Sequence, residues 1–214
     1  MARNARRLSS QKVSASTILR RRWCRSASAA YRVLNPAGLI PTLETPHCPI
    51  SETGAILLWL SDTHALCPAS GSPDRPAFLK WLFFLSNTAH ADLRQMFYPG
   101  QYTPPDTHDR HAAIIVQRML RHFTLLQDAA RAHPSLFAPA TPLASYLLAL
   151  TRWSALYPPG GARWFDLATF PALRRLAHHT QTRAATQRVA RAEGLGPHPF
   201  TAPTNPTPPE GSAL

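Results

Sequence analysis

Along the 214-residue chain the apolar positions fall into two regimes. Between Leu39 and Ile50 they come in short bursts broken by Pro, Thr and Cys, whereas from Arg75 onward they recur every three or four residues. Leu39 to Glu44, around Pro41, reads as a short strand, Thr45-Pro46-His47-Cys48-Pro49 as a turn, and Ile50 as the start of a second brief strand. A helix is predicted to open at Ser51 or Glu52, with Ile56, Leu57 and Leu60 recurring behind it. Leu66 to Asp74 (LCPASGSPD) has the composition of a linker. Everything beyond it reads as helical: Arg75 to Phe97, closed by Tyr98-Pro99-Gly100; residues 106 to 133, with Ile115, Met119, Phe123 and Leu126 on one buried face and Arg118, Arg121 and Asp128 toward water. A further helix starts at Thr141-Pro142, where proline lacks only a donor that would have no partner anyway, and stops at Pro158-Pro159-Gly160-Gly161. Two shorter helices follow, at about 169 to 178 and 181 to 192. No internal repeat is present, and the tail from Gly194 is rich in proline, which favours disorder.

Composition narrows the picture without deciding it. A chain of this length, 44% hydrophobic, has enough apolar surface for one sizeable core or two small ones. No run of eighteen apolar residues exists, so no membrane span is expected. The formal net charge is +12, yet residues 1 to 43 hold nine Lys or Arg and no acid, whereas residues 44 to 214 hold fourteen bases and eleven acids. The basic character is therefore assigned to the N-terminal arm, and that argues against a nucleic-acid partner for the folded body. Cys24, Cys48 and Cys67 are odd in number and widely spaced, which suits a reducing, cytoplasmic setting and offers no disulfide framework. His108 with His111, and His178 with His179, lack a Cys, Asp or Glu at ligand spacing, so no metal site is expected.

Taken singly, Pro41 reads as a turn proline and Ser51-Glu52-Thr53 as a helix cap, because caps are far commoner than ligand sites. Their company changes the reading. NPAGLIPTLETPHCPISETGAILLWLSD resembles the second half of the thioredoxin-like domain of glutathione S-transferases, in which Asn-Pro, Gly, a Val or Ile before Pro, and Glu-Ser before Ala-Ile recur. Asn35, Pro36, Gly38, Ile40, Pro41, Leu43, Glu52, Ala55, Ile56 and Leu60 follow that order; Thr53 stands for serine and Trp59 for an aromatic Tyr. KWLFF (80 to 84), FYPGQY (97 to 102) and ASYLLALTRW (144 to 153) extend the resemblance, which covers about residues 31 to 193.

The resemblance implies an α+β fold: a partial thioredoxin-like unit of strand, hairpin and helix, then an all-α helical-bundle domain of glutathione S-transferase type. The expected divisions are a basic arm over 1–30, a glutathione-binding unit over 31–63, a linker over 64–73, the helical domain over 74–193 and a proline-rich disordered tail over 194–214. It further implies glutathione as co-substrate. Ile40 would offer its main chain to the cysteinyl part, with Pro41 as a cis residue. Thr53 and the adjacent helix-start amides would take the γ-glutamyl carboxylate, and Glu52 would pair with its ammonium. Met96, Phe97 and Tyr98 would line the side of an electrophilic small molecule, although such residues at helical spacing are more often core. A cytoplasmic homodimer acting in detoxification is what the family suggests.

Two departures accompany the resemblance. The family activates the glutathione thiol with a Ser, Tyr or Cys at the end of its first strand, and a strand-helix-strand unit takes roughly thirty or more residues. Cys24 and Tyr31 lie 17 and 10 residues before Pro41, too close for that unit, and the surroundings of Ser9, Ser10 and Ser14 lack strand-like apolar runs. No catalytic residue is named, and the thioredoxin-like unit is expected to be truncated or replaced. The N-terminal region admits three accounts: a shifted start, a non-catalytic scaffold or interaction protein that has lost the catalytic half, or a targeting or phosphate-contacting extension through Arg20-Arg21-Arg22 and Trp23. The second departure lies in the helix after Thr141, where Ala144 and Ser145 occupy places usually taken by an acid.

Overall fold

The short apolar bursts and the longer helical repeat become two kinds of structure in the computed structural model, which describes residues 29–158 and 163–207. The chain divides into two compact units, Met1–Ile56 and Leu57–Leu214. The expectations for Cys24, for the serines and arginines of the basic arm, for the Pro159-Gly160-Gly161 part of the helix stop and for the last seven residues lie outside the described residues.

The first unit begins, within its described part, with helix α1 (Ala29–Leu34). Strands β1 (Thr42–Glu44) and β2 (Pro49–Ser51) pair antiparallel, with Thr42 opposite Ser51, Leu43 opposite Ile50 and Glu44 opposite Pro49. Thr45 makes the turn between them: its Oγ1 donates to the Cys48 carbonyl at 2.6 Å and accepts from the His47 and Cys48 amides. The strand signal read from Leu39 is realised only from Thr42, because the cis peptide between Ile40 and Pro41 lies before the ladder. Helix α2 (Thr53–Thr63) then starts one or two residues later than the sequence pattern suggested, since Glu52 takes a positive φ of 71° and is not yet helical.

The second unit holds the apolar core. Helices α3 (Arg75–Phe83), α4 (His90–Phe97), α5 (His108–Ala132), α6 (Pro142–Leu156), α7 (Pro171–Gln181) and α8 (Ala184–Ala192) follow the segments read from the repeat. Phe78, Leu82, Leu85, Leu93, Met119, Phe123, Leu126, Leu147 and Leu173 are all fully buried. Each such side chain contributes roughly 1.5–3 kcal/mol relative to exposure. Phe123 meets Phe165 and Phe170 at ring distances of 4.7 and 5.8 Å. Thr141 caps α6 by accepting from the Ala144 amide at 3.2 Å, with Pro142 in the first turn.

Three features differ from the sequence pattern. The single helix expected over Arg75–Phe97 is interrupted by a π-helical turn at Phe84–Ala89, whose extra residue keeps Leu85, Ala89 and Leu93 on the buried side at spacings of four. The stretch read as a linker is a run of turns fixed by Arg75, which donates to both Asp62 carboxylate oxygens at 2.6 and 2.9 Å and to the Pro68 carbonyl. The proline-rich tail is, over Gly194–Thr207, a closed loop rather than a disordered one. Thr207 N–H donates to Gly194 O, and buried Arg152 on α6 donates to the carbonyls of Pro199 and Thr204 at 2.9 and 2.5 Å. Composition indicated few apolar contacts there, but a guanidinium with no carboxylate partner among the described residues supplies the anchoring instead, and burial lowers its pKa.

Candidate functional site

In the first unit the site is built from the segment that follows α1. Pro36 ends the helix, and Asn35, only 5% exposed, accepts from the Ala37 amide and donates its Nδ2–H to the Leu39 carbonyl at 2.6 Å. Tyr31, one turn earlier on the same helix face, donates its hydroxyl to that carbonyl at 2.7 Å and shares a hydrogen bond with Thr42 Oγ1 at 2.8 Å. Gly38 takes a φ of 67°, open to a residue without Cβ. Two donors thus fix Leu39, and the chain enters the cis Ile40–Pro41 bond in one orientation. Ile40 is 44% exposed, and among the described residues its main-chain N–H and C=O have no hydrogen-bond partner.

Eleven residues beyond Pro41 the chain reaches Glu52. Its side chain is exposed and makes no ion pair among the described residues, while its carbonyl accepts from the Ile56 amide. Thr53 is half-buried at the first position of α2, followed by buried Gly54, and no acid occupies the first turn. Hence β2 and the start of α2 put in succession a carboxylate, a hydroxyl and helix-start amides that, among the described residues, lack an ion-pair or main-chain partner. That set suits an ammonium beside a carboxylate. Spacing excludes Tyr31 as a thiol activator, and its hydroxyl instead holds Leu39 and Thr42. The Tyr-x-x-x-Asn-Pro spacing was the available signal for that role.

In the second unit, Met96 is 8% exposed and belongs to the core. Phe97 lies edge-on to Tyr157 at 4.7 Å and to Trp153 at 6.1 Å. Tyr98 is 41% exposed beneath the Arg94 guanidinium, 5.4 Å from its ring centre. His90, for which the sequence carries no signal, joins this aromatic group: its Nδ1 is 2.8 Å from Tyr146 Oη and its ring 5.3 Å from Trp153. Burial, with a smaller effect of the Arg94 charge, lowers the His90 pKa, so the imidazole is neutral at pH 7. Phe97 and Tyr98 therefore present aromatic surface, and Met96 does not.

Two further groups define what the second unit can do. Asp92 on α4 accepts from Arg118 Nε and His122 Nε2 on α5, both at 2.7 Å, a tie in which the carboxylate raises the Arg118 pKa. A cleft of about 310 Å³ is lined by Leu66, Cys67, Ser72, Phe78, Leu136 and Thr141. Burial, and then the hydrogen bond to Asp62, pushes the Cys67 thiol up, which leaves it protonated and a poor nucleophile. Cys48 and Cys67 are free thiols, and no three His, Cys, Asp or Glu side chains among the described residues converge on a metal position. No helix among them is long and apolar enough to cross a membrane.

A two-strand hairpin leading into a helix, followed by a bundle of helices, matches a partial thioredoxin-like unit followed by an all-α domain. Comparison with known proteins identifies which proteins share it. The chain is 25% identical over 173 residues to glutathione S-transferase GST-4.5 of Xanthomonas campestris pv. campestris, covering 78% of this chain and 82% of that one. Among solved structures it matches a sphingomonad glutathione S-transferase complexed with glutathione, with 27% identity, a TM-score of 0.60 and coverage of 78% and 79%. The glutathione S-transferase from Xylella fastidiosa shares the fold with a TM-score of 0.65, 20% identity and coverage of 80% and 83%. No protein-family model matches the chain. By sequence and fold together, the chain is similar to glutathione S-transferases.

Proposed function

We propose that the chain binds glutathione through Ile40, Pro41, Glu52 and Thr53 and serves glutathione transfer to an electrophilic small molecule. The observation that carries this reading is the combination, within fourteen residues, of an Ile40 main chain and a Glu52 carboxylate that have no partner among the described residues, beside the N-terminus of α2. The sphingomonad relative, solved with glutathione, supports the same ligand. Ile40 N–H and C=O would pair with the cysteinyl main chain as an added strand does. Glu52 would take the γ-glutamyl ammonium, and Thr53 with the α2 amides its carboxylate. Phe97 and Tyr98 supply aromatic surface for the electrophile; Met96 is left to the core.

A second reading, a non-catalytic glutathione-binding protein of the same fold, is favoured by one observation. The Tyr31 hydroxyl is committed to Leu39 and Thr42, and Cys67 is held protonated. Calorimetric titration of glutathione, paired with an assay of conjugation to an aryl halide, separates the readings. Binding lost in Glu52→Ala, with turnover, supports the transferase; the same binding without turnover supports the second reading; a folded chain that binds nothing contradicts both. Light scattering tests the homodimer that the family suggests, with a mass of one protomer counting against it. A cytoplasmic location follows from the same reading and is checked by fractionation.

A further inference from the structure

Averaged over residues 44 to 214 the charge is modestly positive, but the average hides where it lies. Residues 44 to 170 carry nine bases and nine acids, whereas residues 171 to 193 carry five arginines and one acid, Glu193. Over residues 57–207 the chain carries fourteen bases and eight acids, a net +6, and +4 of this lies within residues 171–193. Arg174 and Arg175 with His178 and His179 occupy the exposed face of α7; Arg183 stands in the connection, and Arg188 and Arg191 lie on the exposed face of α8.

None of these five guanidiniums has a carboxylate within ion-pair distance among the described residues. Elsewhere in the same unit Arg75, Arg118 and Arg131 each sit on an aspartate and Arg152 on two carbonyls, whereas Arg110, Arg121 and Arg163 are exposed without an ion pair among the described residues but are scattered along the chain. Five like charges on two short helices and the two residues joining them repel one another, and no carboxylate among the described residues lies within ion-pair distance to offset that repulsion. Arg191 also borders a cleft of about 470 Å³ with Gln187, Gly194, Gly196 and Thr204, a concave surface next to the charges.

We infer that the exposed face of α7 and α8 is an interaction surface for the phosphate backbone of nucleic acid. Arginine presents a planar fork that matches phosphate oxygens two at a time. A lipid surface fits less well. An interfacial helix must insert an apolar face, and here Leu173, Leu176, Ala177 and Ala190 are buried in the unit, with Val189 as the exposed large apolar side chain of the two helices. No Phe, Tyr or Trp lies on α7 or α8 to stack on bases, so the contact is read as one to phosphate rather than to sequence.

The test is fluorescence anisotropy of a labelled mixed-sequence duplex of about twenty base pairs with the full chain, so that the N-terminal arm is common to every variant. R174Q/R175Q/R188Q is compared with R110Q/R121Q/R163Q, which removes the same charge from exposed positions outside the two helices. The first is expected to weaken binding about tenfold or more near 0.1 M salt and to reduce the slope of log K against log salt by roughly 2.7, at about 0.9 per lost phosphate contact. The second should stay within about twofold. R174K/R175K/R188K, which keeps the charge, should retain most of the binding and shows that the α7–α8 surface tolerates replacement. Equal losses in the two glutamine variants would overturn the surface in favour of net charge alone. An undiminished first variant, or a parent that prefers phosphatidylglycerol vesicles to the duplex, would overturn it as well.

Discussion

The hairpin unit and the helical unit are held by different forces. Over residues 29–56 the buried positions are few, and the chain is fixed by side chains reaching main-chain groups: Tyr31 and Asn35 to Leu39, and Thr45 to Cys48. Over residues 57–207 the helices are fixed by a continuous apolar core, and polar ties such as Asp92 with Arg118 and His122 are additions to it. A net hydrogen bond contributes about 1 kcal/mol, whereas a buried Leu or Phe contributes roughly 1.5–3 kcal/mol. The groups proposed to face the ligand thus sit on the unit with the smaller stabilisation per residue, where main-chain atoms are left open, while the larger core carries stability. A two-strand hairpin is marginal by itself, so substitutions in the two units should separate binding from folding.

The sharpest expected difference is in the core. Phe123→Ala, at a site with no exposure and two aromatic neighbours, should lower unfolding free energy by about 3–5 kcal/mol in urea titration. If that loss left the stability unchanged, the second unit would not be core-dominated. Next is Arg152→Leu, which leaves the carbonyls of Pro199 and Thr204 without their charged donors. A loss of about 2–3 kcal/mol, with faster proteolysis within 194–207, is expected; uniform protease resistance would contradict the anchoring.

Asn35→Ala should be milder for stability, about 1–2 kcal/mol, because the Tyr31 hydroxyl still holds Leu39. Its effect on glutathione affinity should exceed its effect on unfolding, and the reverse order would break the separation of roles. Thr141→Ala removes the cap on α6 and should cost about 1 kcal/mol with no change in glutathione binding.

The smallest effect concerns pH. Because burial lowers the His90 pKa below its unfolded value, the unfolded chain takes up a proton first as pH falls. The contribution of neutral His90 is full above the unfolded histidine value, about 6.5, and declines as pH drops through the window below it. The melting temperature should therefore fall between pH 7 and pH 5, and His90→Gln should flatten that fall. An identical fall in the variant would assign it to other groups.

The helices were legible where burial leaves a local trace. Ile115, Met119, Phe123 and Leu126 repeat at helical spacing, and Thr141-Pro142 is a start signal that depends on neighbours only. The Asn35-Pro36, Ile40-Pro41 and Glu52-Thr53 segments were legible through resemblance, since each has an ordinary reading when taken singly. What escaped the sequence depends on partners far apart in the chain. The π-helical turn at Phe84–Ala89 follows from keeping Leu85 and Leu93 on one core, and the closed loop over Gly194–Thr207 depends on Arg152, whose partners lie 47 and 52 residues away. His90 had no spacing signal, because its partners Tyr146 and Trp153 lie on α6. The charge of α7 and α8 was present in the composition but was diluted by averaging over the whole folded body.

Amide hydrogen exchange at Ile40, with and without saturating glutathione, tests most directly whether the open main chain of the hairpin unit is the ligand site. In the free chain this amide has no hydrogen-bond partner among the described residues and should exchange rapidly. Glutathione should slow it markedly, together with the first amides of α2, and should leave the core amides of α5 unchanged. Rapid exchange at Ile40 that persists while calorimetry shows glutathione bound would contradict the site and place the ligand elsewhere on the chain.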